Sequence, residues 1–112
     1  MALRVRISVP SSAHPDELVT IRTLVAHPME TGFRRDATGK AIPRDILTRF
    51  ECHFDAGQGT QPVFAAELHP AVAANPFLRF HLRATRSGTL HFRWYDATGL
   101  AAEETRTLTV DG

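Results

Sequence analysis

The sequence predicts an all-β fold, a two-layer antiparallel sandwich of about seven strands in a single domain over residues 1–112. Three observations predict it. Apolar and polar residues alternate in segment after segment, which is the period of a half-buried strand. Glycine and proline punctuate the chain between those segments. Helical periodicity competes nowhere, apart from a single turn in HPAVAANP, residues 69–76.

The first segment, LRVRISV, sets Leu3, Val5, Ile7 and Val9 on one face and Arg4, Arg6 and Ser8 on the other. ELVTIRTLVA follows, with Val19, Ile21 and Val25 opposite Leu18, Thr20, Arg22 and Leu24. Apolar residues on both faces predict a central strand that is largely covered. ILTRFECHF places Ile46, Phe50, Cys52 and Phe54 against Arg49, Glu51 and His53. PVFAAEL, FLRFHLRA, TLHFRWYD and ETRTLTV complete the set. Around RATRSGTLHF, a loop of Arg86, Ser87 and Gly88 predicts a hairpin in which Ala84 faces Leu90, Leu82 faces Phe92 and Phe80 faces Trp94. That register sets Arg79, His81 and Arg83 against Tyr95, Arg93 and His91, a cationic ladder turned away from the core. The tetrapeptide DATG occurs at Asp36–Gly39 and at Asp96–Gly99, and both copies fit hairpin corners in which Asp caps the amides ahead of it. The whole reads as an immunoglobulin-like sandwich with Trp94 in its core, with a small open barrel as the structural alternative.

A chain of 112 residues buries roughly 65% of its unfolded surface and needs no metal or disulfide framework to fold. With 22% charged and 43% hydrophobic residues it has ordinary globular usage. Its 13 Lys and Arg against 12 Asp and Glu create no strong field for nucleic acid or an anionic membrane. All the cations but Lys40 are arginine, suited to planar, bidentate contacts with carboxylates and oxyanions. The opening MALRVRISVPSS has no secretory apolar run, so read alone the chain is expected to be cytoplasmic and without a signal peptide. No segment is apolar enough to span a membrane.

No self-sufficient active site emerges, and no cofactor is expected. His53, His81 and His91 fall on outward strand positions, and His14, His27 and His69 each precede a proline. None has close zinc-ligand spacing, so they read as solvated or capping histidines. Cys52 is the only cysteine and alternates with Phe50 and Phe54, as a buried, inert thiol would. The alternative to a binding protein is a small metal or redox sandwich using His27, Met29 and Cys52.

Two stretches, HPMETGFRRDATGKAIPRDIL and ANPFLRFHLRATRSGTLHFRWYDATG, carry a likeness to a known family. The chain resembles SoxZ, the smaller subunit of the SoxYZ sulfur carrier of bacterial thiosulfate oxidation. The likeness runs through HPMETG, GKAIPR, NPFLRF and the SGTLHFRWYDATG hairpin, nearly the whole chain. It implies a noncatalytic immunoglobulin-like subunit that binds SoxY, whose C-terminal Gly-Gly-Cys-Gly-Gly arm holds the sulfur intermediate while other Sox enzymes visit. The ending TLTVDG carries no such arm and fits the Z role. The resemblance also implies a periplasmic location, reached by export with SoxY, which bears a twin-arginine signal. The partners it implies are SoxY, as a heterodimer or larger assembly, and, transiently, other Sox enzymes, with no nucleic acid or membrane. The residues expected to face them are His27, Pro28, Met29, Glu30, Thr31 and Gly32, with Arg34 and Asp36. The turn of Asn75, Pro76 and Phe77, and the ladder residues Arg79 and Arg93, complete that expectation.

Overall fold

A computed structural model describes residues 3–69, 72 and 74–111. Its strands are β1 (Val5–Ser8), β2 (Glu17–Val25), β3 (Leu47–Asp55), β4 (Thr60–Glu67), β5 (Phe77–Ala84), β6 (Gly88–Asp96) and β7 (Gly99–Leu108). They form two antiparallel sheets, one in the order β1-β2-β5 and the other in the order β4-β3-β6-β7. This is the immunoglobulin-like sandwich that the alternation predicts. With the strands divided between two separate sheets, the open barrel is set aside.

The inward residues of both sheets meet in one core. Ile21 and Val25 of β2 and Phe80 of β5 face Phe50 and Cys52 of β3 and Phe92 and Trp94 of β6, all buried. Phe50 sits at the centre, with ring centroids of Trp94 at 5.0 Å, Phe80 at 6.0 Å and Phe64 at 6.1 Å. Phe64 of β4 stacks on Phe80 of β5 at 4.4 Å, an aromatic pair that joins the two sheets. Burying each large side chain is worth about 1.5–3 kcal/mol, so this cluster is where the sandwich gains most.

The structure corrects two expectations. β5 and β6 are not a hairpin: β5 pairs only with β2, and β6 pairs with β3 and β7. Thr85, Arg86 and Ser87 carry the chain from one sheet to the other. The predicted register satisfied the apolar pattern because Phe80, Ala84, Leu90, Phe92 and Trp94 do share one core, but they meet across the sandwich and not across a ladder. Gly88 marks the crossing, where an added Cβ would come within 2.5 Å of the Asp55 carbonyl oxygen and 2.6 Å of the Phe54 ring. β2, second, is central in its sheet yet covered on one side only, and Leu18 on the other is 57% exposed. Three strands leave no second layer above that face.

Both DATG copies turn tight corners. Asp96 Oδ1 accepts the amide of Thr98 at 2.8 Å and its hydroxyl at 2.6 Å between β6 and β7. Asp36 Oδ1 accepts the same two groups of Thr38, at 2.9 and 2.7 Å, and the amide of Lys40. The single turn expected in residues 69–76 falls partly on Pro70, Ala71 and Ala73, which lie outside the described residues. Within them, the Val72 amide donates to the His69 carbonyl at 2.9 Å.

Between β2 and β3 the chain leaves the sandwich. Residues 30–45 form a narrow two-stranded arm, bridged at Glu30–Asp45 and Arg35–Ala41 and closed by the Asp36 corner. The molecule is elongated, 60 × 22 × 22 Å, with a Cα radius of gyration of 16.5 Å against roughly 13 Å for a compact chain of this size.

Candidate partner-binding site

The arm is anchored by the block that precedes it. Inward alternation in β2 runs on past the end of the strand: Val25, His27 and Met29 are buried, while Ala26 and Pro28 are exposed. His27 is 3% exposed and Met29 5%, so within the loop expected to face a partner these two side chains are turned into the protein. The Met29 amide donates to His27 Nδ1 at 3.0 Å. With Nδ1 accepting, the ring proton lies on Nε2, which donates to Asp45 Oδ1 at 3.2 Å. Met29 Sδ in turn accepts the Leu47 amide at 3.4 Å. His27 is thus neither solvated nor a simple cap; it is an internal bracket that ties the start of the arm to its return.

Asn75, just before β5, closes the bracket from the neighbouring strand of the same sheet as β2. Its side-chain oxygen accepts the His27 amide at 2.9 Å, and its own amide donates to the His27 carbonyl at 2.6 Å. Asn75 and Met29 hold φ of 55° and 52°, left-handed values uncommon for residues with a Cβ. Such backbone strain persists where surrounding bonds over-determine it, as they do here. Gly32, at φ 92°, makes the bend into the arm, where a Cβ would press to 3.3 Å on the Cβ of Arg44.

What remains on the surface is the outward half of the loop and the arm. Arg34 donates through Nε and a terminal nitrogen to the two carboxylate oxygens of Glu30, at 3.0 and 2.6 Å. This fork holds the Glu30 carboxyl below the usual carboxylate range. Thr31 Oγ1 accepts the Phe33 amide at 3.3 Å. A cleft of about 550 Å³ opens here, lined by Pro28, Met29, Glu30, Thr31, Arg34 and Ala74. Phe33, at the base of the arm, is 90% exposed. Sequence reasoning missed it, although a phenylalanine between Gly32 and two arginines, with no apolar neighbour at strand spacing, is the available signal.

The remaining expected residues divide between places. Asp36 is at the arm tip, engaged in its corner. The Pro76 carbonyl accepts the Val25 amide, and Phe77 and Arg79 lie on the outward face of the three-stranded sheet. Arg93 lies on the outward face of the other sheet, donating to Glu103 at 2.8 Å. The predicted cationic ladder is therefore split between opposite sides of the molecule.

Metal chemistry finds no assembled donor set: among the described residues no group of three His, Cys, Asp or Glu side chains converges. The lone pairs of His27 Nδ1 and Met29 Sδ are directed at backbone amides, and burial pushes the Cys52 thiol up to about 12.

Comparison with known proteins places this geometry in context. The family model described as Sulphur oxidation protein SoxZ matches residues 5–107. No curated protein matches the chain. Among solved structures, a superoxide reductase (neelaredoxin) from Ignicoccus hospitalis aligns with a TM-score of 0.74 at 21% identity, covering 97% of this chain and 82% of that one. A putative superoxide reductase from Thermotoga maritima aligns with a TM-score of 0.75 at 21% identity, over 96% and 86% of the two chains. The sulfur carrier protein SoxY from Chlorobium limicola aligns with a TM-score of 0.67 at 15% identity, over 96% and 79%. At such identities these likenesses show a shared fold.

Proposed function

Because the chain belongs to the SoxZ family, which places it in Sox-type sulfur oxidation, we propose that it is the noncatalytic subunit of a SoxYZ carrier and holds a SoxY subunit. On this reading SoxY brings the C-terminal cysteine arm that carries covalent sulfur, and this chain brings the rigid base. A thiol on a glycine-rich tail samples many positions, and a fixed base gives visiting enzymes one place to meet it. The proposed location is the periplasm, reached together with SoxY.

The observation that carries the reading is the arm. An exposed two-stranded ribbon buries too little to be stable by itself, yet here its root is tied down by His27, Met29 and Asn75, and Phe33 is held out beside an open cleft. A held-out aromatic next to a fixed Arg–carboxylate fork suits a recognition surface. Pro28, Glu30, Thr31, Phe33 and Arg34 are the proposed contacts.

Coexpression with the SoxY-type subunit of the same organism tests it. A stable complex is expected by size exclusion, weakened at least about tenfold by Phe33→Ala or Glu30→Ala, whose own folds should be unchanged. If the chain ignores that subunit and remains a folded monomer beside it, the reading is lost.

A further inference from the structure

The two outward faces of the sandwich treat charge differently. On the four-stranded sheet the outward cations meet carboxylates: Arg49 with Glu51 at 2.6 Å and Arg93 with Glu103 at 2.8 Å. On the three-stranded sheet the outward strand positions include Arg6, Arg22, Arg79 and Arg83 and no Asp or Glu. Among the described residues none of these four arginines forms an ion pair. Arg83 donates only to the backbone oxygen of Asp16.

Arg22 and Arg79, moreover, are direct register partners on adjacent strands. Like charges placed opposite one another cost stability, and either position changed to a carboxylate would turn the cost into a gain. Beside them Leu24 pairs with Arg6 on one side and Phe77 on the other, and a shallow groove of about 240 Å³ runs over these residues. Phe77 is 57% exposed. An apolar centre edged with arginine is the composition of a protein interface core, and a leucine beside an exposed phenylalanine gives nothing to a phosphate backbone. A cleft lined by Arg4, Arg6, Leu24, Ala26 and Asn75 continues the face to the root of the arm.

We propose that the outward face of the three-stranded sheet is a docking surface for a folded protein partner that sets carboxylates around an apolar centre, and that the SoxY-type subunit is that partner. The inference rests on the carrier reading above and deepens it by naming a second contact surface and the chemistry of what covers it. Bringing carboxylates against Arg22 and Arg79 removes their mutual repulsion, so docking relieves a cost built into the free subunit.

The test is the affinity of purified SoxY-type subunit for wild-type chain, Arg22→Glu and the double variant R22E/R79E, each at low and high salt. Arg22→Glu is expected to raise the melting temperature of the free chain, since the introduced carboxylate would face Arg79, while weakening binding at least about tenfold. The double variant should weaken it about a hundredfold, and the wild-type affinity should fall about tenfold between 50 and 500 mM salt. More stable but worse binding is an outcome misfolding does not give. Wild-type affinity in both variants would overturn this inference and leave the carrier reading standing. No binding by wild-type chain would remove both. An affinity for duplex DNA that Arg22→Glu abolishes, without affinity for the subunit, would assign the face to nucleic acid and overturn the proposal.

Discussion

His27 and Met29 are bonded to each other, the amide of Met29 donating to His27 Nδ1 at 3.0 Å inside the protein. Two residues at strand spacing thereby close a loop on itself, and the sulfur of the second takes the amide of Leu47 at 3.4 Å as β3 begins. The arm's two ends are fastened by side chains it cannot display.

Substitutions here should therefore act on stability before they act on binding. His27→Ala strands a buried amide and opens a cavity, and is expected to cost about 3 kcal/mol. Met29→Ala should cost about as much, and Met29→Leu, which keeps the volume and loses the acceptor, about 1 kcal/mol. Glu30→Ala, one position on, removes the partner of the exposed Arg34 and should shift the unfolding midpoint least of the four. Urea unfolding of the four variants checks the order.

Thr23 offers the opposite case. It is buried on the inward face of β2, and its hydroxyl has no hydrogen-bond partner among the described residues. A buried hydroxyl without a partner is a standing cost, and valine has the same shape without it. Thr23→Val is expected to stabilise the chain by about 1 kcal/mol, read as a rise in the urea midpoint at unchanged slope.

Cys52 should be silent toward thiol reagents. It lies fully inside, between Phe92 and Phe64 in the register, and desolvation pushes its pKa from 9.0 up to about 12. At pH 8 that leaves roughly a thousandfold less thiolate than an ordinary cysteine has. Labelling by an aromatic disulfide reagent should proceed only at the rate of unfolding. A fast labelling phase in the folded protein would count against this packing.

Acid should weaken the fold in a defined window. Arg49, and then His53, hold Glu51 below its ordinary 4.5; Thr98 holds Asp96, and Thr38 holds Asp36, below 3.8. A folded-state value below the unfolded one means stabilisation that is whole above the unfolded value and lost as pH falls through the folded one. Melting temperature should stay level from neutral pH to about 5 and drop from about pH 4.5 downward. Glu51→Gln should start lower at neutral pH and fall less steeply, which differential calorimetry reads directly.

The sequence showed all seven strands, because burial on one face writes itself as alternation and each segment carried enough residues to display it. Trp94 and Cys52 were placed in the core by the same logic. The pairing of β5 with β2 was hidden, since apolar residues that meet across a sandwich and those that meet across a hairpin give the same pattern; only hydrogen bonds distinguish them. The inward turn of the His27 and Met29 side chains was hidden because polar and turn-forming neighbours suggested a surface loop. Counting in twos from Ile21 through Thr23 and Val25 would have sent both inward. The exposure of Phe33 follows from the arm leaving the body of the protein, and its local sign is only the lack of apolar neighbours at strand spacing.

The division of β5 and β6 between sheets also sets a pace. The β1–β2, β3–β4 and β6–β7 pairs join neighbours in sequence and can form early, but neither sheet is complete until β2 finds β5 and β3 finds β6, with other strands already made between them. Loop closure of that kind must be met before any contact rewards it, so refolding after dilution from urea should take on the order of milliseconds to seconds, the range of sandwiches and not of bundles. Through that interval β4 waits with an open edge, and Pro62, which has no amide to offer a stranger's strand, sits within it.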